Sequence, residues 1–305
     1  MKAFFCKLLL FASALFVCQA AIGRIDLQEN APEFMRLAGC LERKGAVIYM
    51  GDSTDDAVAA SDRDRSSIGQ MLAAAHAERG VCTVSHGAYH MGVYEAYAGY
   101  AARSGARPRA LVMPVNLRSF SPEWDADPGY RFERERFAAD ARLPLAGYFF
   151  RPLAIFGAIA RDAADRGEDA WALIRAAVPP TPESVGMDYA FKYMPRLEKD
   201  HRKLVSLRNL ARAAGAAGIP VYVYVTPIDW QGGRSHVGPE FAARVRENAR
   251  LACAVAESAG ARCLDIATAL ESRYFSHGTY SDEHLTDQGR RFVAEQIGTL
   301  MAGGK

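Results

Sequence analysis

The sequence predicts a three-layer α/β domain with a mostly parallel sheet. Three observations carry this. Five short, nearly continuous apolar runs are rich in β-branched residues; helical stretches alternate with them; and polar or glycine-containing segments follow the runs where strands would end. Continuous apolar strands are those covered on both faces, and strand–helix alternation builds a parallel sheet between helical layers.

The predicted strands are Ala46–Met50, Val81–Ser85, Ala110–Val115, Pro220–Thr226 and Arg262–Ile266. Helical spacing of apolar residues predicts helices over Ser67–Arg79, Tyr89–Ser104, Leu197–Ala217 and Glu240–Ala259, with a last one over Thr286–Met301 that has Thr286 as its N-cap. Residues 117–196 separate the third and fourth strands, far more than an ordinary crossover needs. This insertion is expected to be helical. It contains the apolar stretch Leu143–Ala160, which could be a packed subdomain, a lid, a membrane-surface element or a partner surface.

The chain has 305 residues, is 50% hydrophobic and 24% charged, and carries a net charge of +2, so no strong polyanion-binding or nucleic-acid signal arises. Residues 1–20 have a basic start, an apolar run from Leu8 to Val17 and small residues at Ala20 and Ala21. This is the layout of a signal peptide, with an uncleaved anchor as the alternative, and residues 21–305 then form one domain. The chain is accordingly expected to be secreted or periplasmic. After cleavage four cysteines remain, and in an oxidising compartment the expected pairs are Cys40–Cys82 and Cys253–Cys263, each close in sequence.

Ligands in parallel sheets bind beyond the carboxyl ends of the strands, and several chemically capable residues fall there. Ser53, in Gly51-Asp52-Ser53, follows the first strand directly; a serine at a strand-to-helix junction projects into the cleft, with its N–H among the unpaired donors of the helix start. Gly87 follows the second strand and could present an open N–H. Asn116 follows the third and could donate from its side-chain amide. His284 lies in a polar loop before the last helix, with Asp282 two residues away to orient it. Asp52, Asp55 and Asp56 could suggest a cation site, but more simply suit a helix N-terminus. His86 and His90 have the i, i+4 spacing of metal ligands, but no third ligand accompanies them and no metal site is expected. Trp124, Tyr130, Trp230 and Tyr274 fall in expected loops, where aromatic rings could stack on sugars.

Taken in order, these four segments resemble the blocks of the SGNH, or GDSL-type, hydrolase superfamily. The resemblance covers roughly residues 45–116 and 198–301. It implies a flavodoxin-like sandwich, a triad of Ser53, His284 and Asp282, and an oxyanion hole from the Ser53 N–H, the Gly87 N–H and the Asn116 side chain, with no cofactor. Two departures matter. The acid stands two rather than three residues before the histidine, an arrangement similar to the periplasmic polysaccharide O-acetyltransferases such as the alginate-acetylation proteins. The third block reads Pro114-Val115-Asn116-Leu117 in place of Gly-x-Asn-Asp, and Arg118 beside it could bind an anionic or polyhydroxylated ligand or form a surface salt bridge. The expected function is therefore an esterase or O-acyltransferase acting on acyl, above all acetyl, esters of an envelope or extracellular glycan. Transfer from an external donor would need a membrane acyl-transfer partner. The competing expectation is a non-catalytic glycan-binding or assembly protein on the same fold.

Overall fold

The computed structural model of the protein describes residues 4–14, 17, 31–59, 61–122, 124, 130, 132–140, 181–276 and 283–303. The apolar stretch 143–160 and Asp282 lie outside the described residues.

Five parallel strands form one sheet in the order β2-β1-β3-β4-β5: β1 (Val47–Gly51), β2 (Val81–Ser85), β3 (Ala110–Val115), β4 (Val221–Val225) and β5 (Arg262–Asp265). This is the flavodoxin-like order. The strands form where the sequence is continuously apolar because both faces are covered. Along β1, Ile48 and Met50 join one core cluster and Val47 and Tyr49 the other. The first cluster packs under α1 (Pro32–Leu41), α4 (Met91–Arg103), α7 (Arg202–Ala216) and α9 (Glu240–Ser258); the second packs under α3 (Ile68–Ala75) and α10 (Asp287–Ala302). Between β1 and α3 lies the short helix α2 (Ser53–Asp56).

The sheet's two edge strands are each stapled to a covering helix. Cys82 of β2 bonds Cys40 of α1, and Cys263 of β5 bonds Cys253 of α9, the pairing expected from sequence. In the long segment between β3 and β4 the described parts are a 3₁₀ turn at Leu117–Phe120, α5 (Glu133–Asp140) and α6 (Pro182–Tyr193). Helix α8 (Trp230–Val237) follows β4.

Three helix boundaries differ from the sequence reading by two residues or more, each for a local reason. The helix expected over Ser67–Arg79 stops at Ala75 and resumes as a 3₁₀ turn at Ala77–Arg79, with His76 between them outside helical geometry. The helix expected from Leu197 begins at Arg202, where the His201 ring accepts from the Lys203 N–H. The helix expected from Tyr89 begins at Met91, because the His90 ring caps it through the Gly92 N–H. Thr286 caps α10 as expected, accepting from the Gly289 N–H. Among the described residues no helix is long and apolar enough to cross a membrane.

Candidate active site

In the 2-1-3-4-5 order the chain reverses direction across the sheet between β1 and β3, and ligands bind in the crevice above that point. Ser53 leaves the end of β1 and Asn116 the end of β3, so both stand at this switch point. The loop before α10 brings His284 to the same place. Its Nε2 lies 3.1 Å from Ser53 Oγ, although 231 residues separate them. The histidine segment is held by antiparallel pairing: Phe275 bridges Leu285, the Ser276 N–H donates to the His284 carbonyl (2.9 Å) and the Thr286 N–H to that of Tyr274 (2.9 Å).

Two buried carboxylates flank the serine. Asp52 caps α2, accepting from the Thr54 N–H (2.8 Å) and hydroxyl (2.7 Å). Its other oxygen accepts from Asn116 Nδ2 at 3.2 Å. Burial pushes its carboxyl up to about 6, against the pull of these hydrogen bonds. Asp55 is raised too, again by burial first, while it accepts from the Ser85 hydroxyl (2.6 Å) on β2 and the Gly69 N–H (2.7 Å) on α3. Asp55 therefore ties the nucleophile's helix to β2 and α3, a role that neither the helix-start nor the cation-site expectation gave it. Gly51 is required by this packing, since a Cβ there would stand 2.0 Å from Ser85 Oγ and 2.8 Å from Asp55 Cβ.

Asn116 is buried, and its amide is fixed at both ends. Oδ1 accepts from the Arg118 N–H (3.0 Å), and one Nδ2 proton goes to Asp52, which leaves the second Nδ2 proton as the amide's remaining donor. Gly87 is partly exposed, and a Cβ there would meet nothing within 4 Å. The left-handed residue of this loop is the next one, Ala88 at φ 65°.

Several sequence candidates take other roles. Arg118 is not a free cation awaiting a ligand: its Nη1 donates to Glu283 Oε1 at 2.8 Å, and Glu283 Oε2 accepts from the Tyr193 hydroxyl at 2.9 Å. Trp124 is not an exposed sugar platform. It is 6% exposed, stacked on Tyr130 at 4.3 Å, with the Lys203 ammonium 5.5 Å from its ring. Trp230 begins α8 rather than sitting in a loop, and packs half-buried against the core. His90 uses both ring nitrogens within the fold, accepting from Gly92 at Nδ1 and donating from Nε2 to the Tyr130 carbonyl (2.7 Å). Burial holds it neutral, down at about 3. Among the described residues no group of His, Cys, Asp or Glu is arranged to hold a metal.

The sequence reading missed Glu283. It is buried, and desolvation alone would raise its carboxyl; the Arg118 charge, helped by His284, outweighs this and holds it down at about 2. An acidic residue beside a histidine was the available signal, but Asp282 drew the reading.

No protein-family model matches the chain, and no curated protein matches it. Solved structures similar to it include a catalytic mutant of an acetylxylan esterase from Geobacillus stearothermophilus, at 11% identity and a TM-score of 0.44, covering 84% of this chain and 94% of that one. Another is an alpha/beta hydrolase enzyme from the metagenome of Lake Arreo, Spain, at 13% identity and a TM-score of 0.43, covering 87% and 98%. Likeness at these values carries no argument about what the present chain acts on, and its chemistry is read from its own residues.

Proposed function

We propose that the chain is a serine-dependent enzyme acting on acyl esters. The observation that carries this is the 3.1 Å contact between Ser53 Oγ and His284 Nε2 at the sheet's switch point. That separation is within the reach a nucleophile and its general base require. A glycan-binding protein has no need of it.

Ser53 Oγ attacks the ester carbonyl carbon while its proton passes to His284 Nε2. The carbonyl electrons move onto oxygen, where the Ser53 N–H, the Gly87 N–H and the remaining Asn116 Nδ2 proton are the proposed donors. Preorganised donors of this kind typically contribute ~10²–10³ in rate each. The tetrahedral intermediate collapses as His284 returns the proton to the leaving oxygen, which breaks the ester C–O bond and leaves an acyl-serine. A second hydroxyl repeats the sequence in reverse and frees Ser53. Asp282 is the proposed orienter of the imidazole, on its spacing from His284.

When the second hydroxyl is water, the product is a free acid. When it belongs to a sugar, the acyl group is transferred. The finer proposal is an acetyl ester of an envelope or extracellular glycan; the Asp-x-His spacing sets transfer nearly level with hydrolysis, and transfer would draw its acyl group from a membrane partner. Two disulfides on the edge strands support folding in an oxidising compartment. The test is acetate release from acetylated xylo-oligosaccharides and p-nitrophenyl acetate by wild type, Ser53→Ala and His284→Ala. Loss in both variants is expected; a folded variant that keeps wild-type turnover removes its residue from the mechanism.

A further inference from the structure

The long segment between β3 and β4 reaches the proposed base through three side chains. Tyr193 ends α6 inside that segment, and Arg118 lies in the 3₁₀ turn that opens it, two residues after Asn116. Both converge on Glu283, the residue before His284: Arg118 Nη1 at 2.8 Å on one carboxylate oxygen and the Tyr193 hydroxyl at 2.9 Å on the other. The Glu283 side chain is 1% exposed and that of Arg118 is 22% exposed, so the pair sits largely out of water. In such a place a two-point grip fixes orientation as well as position.

A carboxylate clamped at Glu283 restrains the backbone from which the next residue, His284, projects its imidazole. The same Arg118 also holds Asn116 through its backbone N–H (3.0 Å). One residue thus touches both the proposed oxyanion donor and the anchor of the proposed base.

We propose that Tyr193 and Arg118 position His284 through Glu283, so that the segment inserted between β3 and β4 sets the Ser53–His284 geometry. This rests on the reading of Ser53 and His284 as the catalytic pair. Glu283 is a positioning residue here, since both its oxygens are engaged by Tyr193 and Arg118. The insertion is then more than a covering element: movement of α6 would be felt at the base.

The test compares Tyr193→Phe and Glu283→Gln with wild type, using p-nitrophenyl acetate kinetics, the rate of fluorophosphonate labelling and thermal midpoints. Tyr193→Phe keeps the ring and the ion pair, and loses one hydrogen bond. It is expected to fold normally, with kcat and labelling rate down on the order of ten-fold and KM unchanged; Glu283→Gln is expected to lose on the order of a hundred-fold in kcat, as for small misplacements of a catalytic group. Folded variants with wild-type kcat, or with a raised KM at unchanged kcat, overturn the proposal. Should Glu283→Gln fail to fold, Tyr193→Phe decides alone. Ser53→Ala and His284→Ala are run alongside. If they retain turnover, the catalytic reading has failed; if they lose it while Tyr193→Phe and Glu283→Gln do not, only the positioning proposal has.

Discussion

Arg290→Met should be among the most destabilising single changes in the molecule. Arg290 lies in the first turn of α10 with its side chain fully buried. Its guanidinium donates to the carbonyls of Ser66 (3.0 Å), Asp64 (2.7 Å), Ala57 (2.8 Å) and Leu285 (2.9 Å), and to Asp62 Oδ2 (2.9 Å). Four of these acceptors belong to the loop that follows the Ser53 helix, and the fifth is next to His284. Methionine fills a similar volume but offers no donor, so the Asp62 carboxylate loses its charge partner and keeps only the N–H groups of Ala59 (2.8 Å) and Asp287 (3.2 Å). Breaking a buried ion pair from one side costs about 3–5 kcal/mol. In a domain of this size that lowers the thermal midpoint by roughly 5–8 °C. The assay is urea or thermal unfolding of Arg290→Met beside the double variant Arg290→Met/Asp62→Leu. Removal of the orphaned carboxylate should restore part of the loss. A single variant within about 1 kcal/mol of wild type would refute the reasoning, as would a double variant no more stable than the single one.

Asn116→Ala should lower kcat by ~10²–10³, with Ser53 still present and labelled more slowly; unchanged kcat would remove Asn116 from the oxyanion donors. Removing the disulfides should cost about 4 kcal/mol for Cys40–Cys82, which closes 42 residues, and about 3 kcal/mol for Cys253–Cys263, which closes 10, on the loop-entropy estimate; paired Cys→Ser variants followed by unfolding check the order. His90, lowered from 6.5 to about 3 by burial, takes up its proton more readily in the unfolded chain. Its neutral form therefore stabilises the fold above about pH 6.5, and the contribution drains away as pH falls toward 3. The stability of wild type relative to His90→Gln should fall by several kcal/mol as pH drops through that window, and a flat difference would contradict it. Gly51→Ala should destabilise and slow turnover together, because its Cβ would overlap Ser85 Oγ and crowd Asp55; a variant with normal stability would contradict the packing.

The sheet was legible because buried parallel strands are written locally. Val81–Ser85 and Ala110–Val115 are found where the apolar runs place them, and the other strands differ by one residue at one or both ends. The placement of Ser53 and Asn116 after β1 and β3 followed from the same runs. Beyond the Ser53–His284 pair that the resemblance implied and the cysteine pairs, side-chain roles set by distant partners were not legible. Arg118 looked like a ligand-binding cation because Glu283, 165 residues away, cannot be paired with it from spacing alone. Trp124 looked like a loop aromatic, since its burial depends on Tyr130 and on Lys203 from α7. His90 resembled half of a metal motif, whereas its ring is occupied by capping its own helix and by the Tyr130 carbonyl. In each case a polar or aromatic side chain visible in sequence takes a structural partner that only the fold supplies.

The central claim, that Ser53 is a nucleophile activated by His284, is tested most directly by fluorophosphonate labelling of the folded protein and peptide mapping of the adduct. The account predicts stoichiometric modification at Ser53 in wild type and labelling slowed by several orders of magnitude in His284→Ala. An unmodified Ser53 in wild type, or equal labelling in the two proteins, would contradict it.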